Sequence, residues 1–279
     1  MKPDTSHRPY DEPMATPQLT AFSPATPAII VPVAGSLDQC VAAAAAARAA
    51  GADFVEWRVD LSDVQWRRPE ALARGAVAVA GAGLPVLGTL RTRPEGGQAE
   101  VTPATYRQAV ETLASVCAAV DVEGRFGAEM VAAARAGATG GIAAAAGGGA
   151  GGGSAVGGDA GGRFGARGRV GAPCQVVVSF HDFTGLPAQL GQVFAALAAL
   201  DPDVVKVAVQ AAGPADVAAL AAAAATCPRP TIAIAMGQAG QAARCCPELT
   251  RSLATFATVG LATAPGQVPV ARVRAALKR

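Results

Sequence analysis

A lysine inside an apolar β-type run is the residue of this chain with the most chemistry to offer. The 279 residues hold three lysines, and Lys2 and Lys278 sit at the extreme ends. Lys206 lies in Asp203-Val204-Val205-Lys206-Val207-Ala208-Val209, while the other positive charges are arginines. Arginine cannot supply a neutral primary amine. A desolvated lysine can, and its lone pair can attack a carbonyl to form an imine. The same placement also suits a strand-end lysine that extends its ammonium to solvent. His181 is the one histidine besides His7, and it ends the β-type run that precedes Lys206. A lone histidine is commonly structural, but one on the strand next to an amine nucleophile supplies a general acid/base. Glu95, just beyond Arg91, can orient an imidazole as second carboxylates do for catalytic histidines. No metal is expected, because a second imidazole or a suitably spaced thiol is missing.

These residues need elements to bring them together. Apolar β-type runs at 29–33, 54–59, 86–91, 119–123, 175–181, 204–209, 231–235 and 255–261 alternate with helical stretches. The helices fall at 37–50, 69–82, 103–116, 127–136, 190–200, 214–225, 239–253 and 268–278. Eight strand-then-helix units in about 250 residues predict an α/β fold, a closed (β/α)8 TIM barrel. An open doubly wound sheet would carry a glycine-rich fingerprint after its first strand, and none is present. A barrel places its active site at the C-terminal strand ends. Alternation then puts Glu56, Arg58 and Asp60 on one strand face, Asp121 and Glu123 on another, and Ser179 with His181 on a third. Arg91 ends its strand, and Lys206 shares a face with Val204 and Ala208. So many ionisable groups at one barrel mouth exceed what core packing tolerates without a function.

Bulk composition narrows the class. A hydrophobic fraction of 51% is ample for a core, and a net charge of +2 argues for no nucleic-acid partner. No apolar stretch is long and uninterrupted enough for a membrane span. Residues 1–27, rich in Pro, Ser and Thr, read as a disordered tail and not an export signal. The six cysteines lack metal or redox spacing, so reduced thiols in the cytoplasm are expected. Residues 137–171 hold 16 of the 33 glycines and read as a flexible insertion into a catalytic barrel spanning 28–279. The insertion lacks the ending of a phosphate loop.

The motifs Glu56-Trp57-Arg58-Val59-Asp60, Thr89-Leu90-Arg91 and Glu95-Gly96-Gly97 resemble type I 3-dehydroquinate dehydratases. Ser179-Phe180-His181-Asp182-Phe183, Val205-Lys206-Val207-Ala208, Met236-Gly237 and Ala264-Pro265-Gly266-Gln267 follow in that family's order. The resemblance covers 28–278 apart from the glycine-rich insertion. It implies a lyase of the shikimate pathway, converting 3-dehydroquinate to 3-dehydroshikimate with loss of water. Lys206 would form a Schiff base with the C3 ketone. His181 would take the C2 proton and help the C1 hydroxyl leave, and Glu95 would orient the imidazole. Glu56, Arg58 and Arg91 match groups that bind substrate hydroxyls. Arg244 matches the carboxylate clamp, and Thr263 and Gln267 the lid. No cofactor is implied, since the imine itself is the electron sink, and a homodimer is the usual assembly.

Three departures from the family pattern stand out. Thr263 replaces a serine but keeps the hydroxyl. The usual serine before Arg244 is absent, which leaves Arg251 as an alternative clamp. The tail does not look like the hairpin that often plugs the base of such barrels. Two other readings remain: an aldolase-like imine-forming barrel, and a non-catalytic sensor of quinate-type acids.

Overall fold

The computed structural model describes residues 27–146, 174–260 and 266–277. Strands β1 (Ala28–Gly35), β2 (Phe54–Ser62), β3 (Val86–Thr89), β4 (Ala119–Glu123), β5 (Gln175–Asp182), β6 (Val204–Gln210), β7 (Thr231–Met236) and β8 (Ala254–Thr258) are all parallel, and a short β9 (Val268–Pro269) adds to β8. Their order, β7-β6-β5-β4-β3-β2-β1-β8-β9, follows the chain around a barrel. Helices α1 (Leu37–Ala49), α2 (Pro69–Ala80), α3 (Pro103–Val116), α4 (Gly127–Ala146), α5 (Leu190–Ala198), α6 (Pro214–Ala225), α7 (Gln241–Cys245) and α8 (Val270–Leu277) lie between the strands or follow the last. This is the expected (β/α)8 architecture.

Local chemistry explains where the elements begin and end. Ser36 and Gln39 form a reciprocal capping box at the start of α1. Proline opens α2, α3 and α6 at positions where a missing N–H costs nothing. The helix expected over 239–253 stops at Cys245, because Pro247 offers no N–H to continue it and starts a 3-10 turn instead. Conversely, α4 runs to Ala146, ten residues past the expected 136, so the glycine-rich stretch is helical at its start. Its remainder at 147–171 and the expected tail at 1–26 lie outside the described residues.

Strand alternation sorts two cores. Val205, Val207 and Val209 of β6 join the outer layer with Trp57, Leu72, Tyr106 and Phe194, between sheet and helices. Val204 and Ala208 join the inner one with Ile30, Phe54, Leu87, Val177 and Ile232. The lower barrel interior is thus filled with apolar side chains, and only the upper positions are free for chemistry.

One seam lacks a ladder. Among the described residues β7 and β8 are joined instead by Leu253 N–H donating to Thr231 O (2.8 Å), Thr250 Oγ1 donating to Ala233 O (2.9 Å) and Ala233 N–H donating to Ser252 Oγ (3.0 Å). Side-chain hydroxyls replace part of the missing strand pairing. Ser252→Ala leaves the buried Ala233 N–H without its acceptor, and a loss of about 1–3 kcal/mol is expected. The urea midpoint measures it; an unchanged midpoint would mean the seam does not depend on this hydroxyl.

Candidate active site

The C-terminal strand ends surround a cavity of about 110 Å³. Its polar side comprises Glu56, Arg58, Arg91, Glu95, His181, Lys206, Arg244 and Gln267, and its apolar side is Pro32, Ala208, Ile234, Met236 and Phe256. Phe183 stands at the same cavity, 44% exposed. Of this wall, Ala208 shares the Lys206 face and Met236 belongs to a motif, whereas Pro32, Ile234 and Phe256 went unread, although the alternation of β7 and β8 places Ile234 and Phe256 inward.

Lys206 does not reach out to solvent. Only 4% of it is exposed, and its Nζ lies 3.1 Å from Asp121 Oδ2 and 3.3 Å from Glu56 Oε1. The same nitrogen sits 4.7 Å from the centre of the Phe256 ring. Thr89 Oγ1 donates to Glu56 Oε1 at 3.1 Å and fixes that carboxylate. Of the two readings of Lys206, the snorkelling one is therefore excluded.

His181 lies one inward position further up the barrel, since β5 pairs with β6 through Ser179↔Lys206 and His181↔Ala208. Its Nδ1 is 2.9 Å from Glu95 Oε2. Burial lowers the imidazole pKa well below its usual value, and the charges of Arg91, Lys206 and Arg58 add to the effect. Burial also raises the Glu95 pKa to about 8 against the pull of Arg91. Both shifts favour an uncharged pair over an imidazolium–carboxylate pair. When Glu95 is ionised it holds Nδ1–H, and Nε2 is left with a lone pair to accept a proton.

Arg91 is the hub of the polar side. Nη1 donates to Ser179 Oγ (3.0 Å), Glu95 Oε2 (3.2 Å) and Glu123 Oε1 (3.3 Å), while Nη2 lies 2.8 Å from Asp121 Oδ1 without hydrogen-bond alignment. Burial opposes its charge, but Asp121, Glu95 and Glu123 outweigh burial and raise its pKa. Glu123, inward-facing as expected, is fully buried. It accepts from Thr92 N–H (2.7 Å) and Thr92 Oγ1 (2.6 Å), pinning the turn that carries Glu95. Asp60 holds Arg58 through Nε (2.9 Å) and Nη2 (2.8 Å), a two-point grip that sets the guanidinium plane.

Of the two candidate clamps, Arg244 of α7 lines the cavity. Its Nη1 donates to Phe256 O at 3.3 Å, and burial lowers its pKa to about 10. Arg251 is exposed and precedes β8, at the opposite end of the barrel from the cavity. Gln267 reaches the cavity because Gly266 (φ +74°) packs on the backbone of Gly237, where an added Cβ would come within 2.2 Å of the Gly237 carbonyl oxygen. Thr263 lies outside the described residues.

A parallel α/β barrel with buried amine, imidazole and guanidinium groups at its C-terminal mouth has the form of a TIM-barrel enzyme. The model of the Type I 3-dehydroquinase family matches residues 29–143 and 167–279, and the chain belongs to that family of hydro-lyases. The match breaks inside the glycine-rich segment. The chain is 31% identical to the 3-dehydroquinate dehydratase of Klebsiella pneumoniae subsp. pneumoniae over 260 residues, covering 88% of this chain and 90% of the relative. It is 30% identical to that of Lactiplantibacillus plantarum over 269 residues, covering 90% and 92%. A crystal structure of 3-dehydroquinate dehydratase from Geobacillus kaustophilus superposes with a TM-score of 0.72 at 27% identity, covering 90% of each chain.

The Glu95 shift has a thermodynamic consequence. A carboxyl whose pKa rises from 4.5 unfolded to about 8 folded contributes stability below pH 4.5, and that contribution is lost as pH rises through 8. Glu95→Gln cannot ionise, so its unfolding free energy relative to the parent should rise between pH 5 and pH 9. Urea unfolding at both pH values checks this, and a constant difference would refute the raised pKa.

Proposed function

We propose that the chain dehydrates 3-dehydroquinate to 3-dehydroshikimate through an imine on Lys206. The observation that carries this reading is one cavity holding the buried Lys206, the sole inward-facing lysine of the described strands, beside a neutral imidazole, in a chain of this family. The Lys206 ammonium gives up a proton, its nitrogen lone pair adds to the C3 carbonyl carbon, and the carbonyl oxygen takes up that proton. Loss of that oxygen as water gives the protonated imine. His181 Nε2 removes the C2 proton, and the C–H electron pair flows into the imine as an enamine. The enamine pair then expels the C1 hydroxyl, which takes the proton back from His181 and leaves as water. Water hydrolyses the remaining imine and frees product and amine. The net change is loss of one water, with no redox step and no cofactor.

The other residues have roles consistent with their chemistry. Glu95 orients the imidazole. Glu56, Arg58 and Arg91 bind substrate hydroxyls, and the Arg244 guanidinium takes the carboxylate. By the family resemblance, Thr263 and Gln267 would serve as the lid. The reading extends, by family resemblance, to a homodimer in the cytoplasm. Six free thiols fit a reducing compartment, and no described helix is long and apolar enough to cross a membrane. The aldolase-like and sensor readings gain no specific observation; retention of both Lys206 and His181 speaks against a sensor.

Incubation with 3-dehydroquinate, borohydride trapping and peptide mass spectrometry should place an adduct on Lys206, while the enone product absorbs in a parallel untrapped sample. Lys206→Arg keeps the charge but not the nucleophile, so turnover should vanish. An active Lys206→Arg enzyme would rule the imine out. A folded parent that gives neither adduct nor product would favour the sensor.

A further inference from the structure

Asp121 is a buried charged group that the steps above leave without a role, although it touches the reacting nitrogen. Building on the imine reading, we propose that Asp121 is the fixed counter-ion of the Lys206 nitrogen and holds the positive charge of the imine throughout the reaction.

Two carboxylates contact Nζ, but they are not equivalent. Glu56 lines the cavity, where an entering substrate meets it. Asp121 is 2% exposed and is not among the lining residues. Register explains the difference. Asp121 pairs with Val177, whereas Lys206 pairs with Ser179 one inward position higher, so the Asp121 carboxylate meets Nζ from the floor side.

An ammonium has three N–H donors and can serve both carboxylates and more. A protonated imine has one. Once the nitrogen is bonded to substrate carbon, that single N–H can keep only one of its two former partners. Glu56 is drawn to substrate hydroxyls, and Asp121 stays in place beneath the nitrogen. It is held there from two sides, by Ser179 Oγ donating to Oδ1 at 2.6 Å and by the Arg91 guanidinium 2.8 Å from the same oxygen. A negative charge fixed before the reaction, on a carboxylate that is itself buried, stabilises the cation without reorganising. Burial alone would protonate Asp121, but Arg91 and Lys206 overcome burial and hold its pKa at about 2. Asp121 is therefore too acidic to take the imine proton, and it steadies the electron sink without discharging it. Besides Glu56 and Arg91, the other ionisable groups around this pair are Arg58, Glu95, Glu123, His181 and the buried Tyr106. Glu95 and Glu123 share Arg91 with Asp121.

The test compares the full-length parent with Asp121→Asn and Ser179→Ala, reading the pH dependence of kcat and the Raman C=N stretch of the imine in H2O and D2O. That stretch moves in D2O only while the nitrogen is protonated. In Asp121→Asn, kcat should fall about 100-fold or more, and its alkaline limb should move down by about one to three pH units. The D2O shift should be lost over the same interval. Ser179→Ala removes a hydrogen bond but leaves the charge, so its alkaline limb should stay where the parent's is. Where the Asn variant does not fold by circular dichroism, Asp121→Ser is read in its place. A folded Asp121 variant with an unmoved alkaline limb and a persistent D2O shift overturns the inference, whatever its kcat. A parent that forms no adduct on Lys206 overturns the imine reading itself, so the two failures are distinguishable.

Discussion

The carboxylates that hold His181, Lys206 and the Thr92 turn all meet one buried guanidinium. Arg91 meets Glu95, Asp121, Glu123 and Ser179 at once, and each carboxylate in turn fixes a working group. Glu95 meets His181, Asp121 meets Lys206, and Glu123 pins the Thr92 turn. Carboxylates this deeply buried would neutralise themselves without a cation among them. Nor would an isolated buried guanidinium be tolerated. The charged members of the cluster are coupled, so the protonation of each is set together with the others.

That balance is affordable because the barrel separates its tasks along the strand axis. Apolar side chains such as Ile30, Phe54, Leu87 and Ile232 fill the floor and supply the burial that holds the sheet together. The charged layer sits above them, one or two inward positions up the same strands. Helices pack only on the outer faces of the strands, so the inner faces answer to catalysis and not to helix packing. In sequence, the break in the family match opens within the end of α4 and closes before β5.

The two nitrogens central to the proposed chemistry are prepared in opposite ways. His181 is kept neutral by burial and by neighbouring cations, which suits a base. Lys206 is surrounded by carboxylates and an aromatic face, which suits the positive charge of the proposed imine. Their separation by one inward step along adjacent strands allows such different surroundings within one cavity.

Much of this was legible in the chain. Eight apolar β-type runs alternating with helices gave the barrel, because a parallel strand buried on both faces must be apolar almost throughout. Within such runs a polar residue is conspicuous, and a period of two then decides its face, which is how Glu56, Arg58, Asp121, Glu123, His181 and Lys206 came out on the inside. Other features had no local signal. That Arg244 and not Arg251 lines the cavity depends on which end of the barrel each occupies. Asp121 at the Lys206 nitrogen, Arg91 as shared partner, Phe256 beneath the amine and the hydroxyl-bridged seam at β7 and β8 join residues far apart in sequence. Sequence determines which residues face inward, because alternation is a property of one strand. Which of them meet, and what charge each carries there, is set by the register between strands and by burial, and those exist only once the barrel closes.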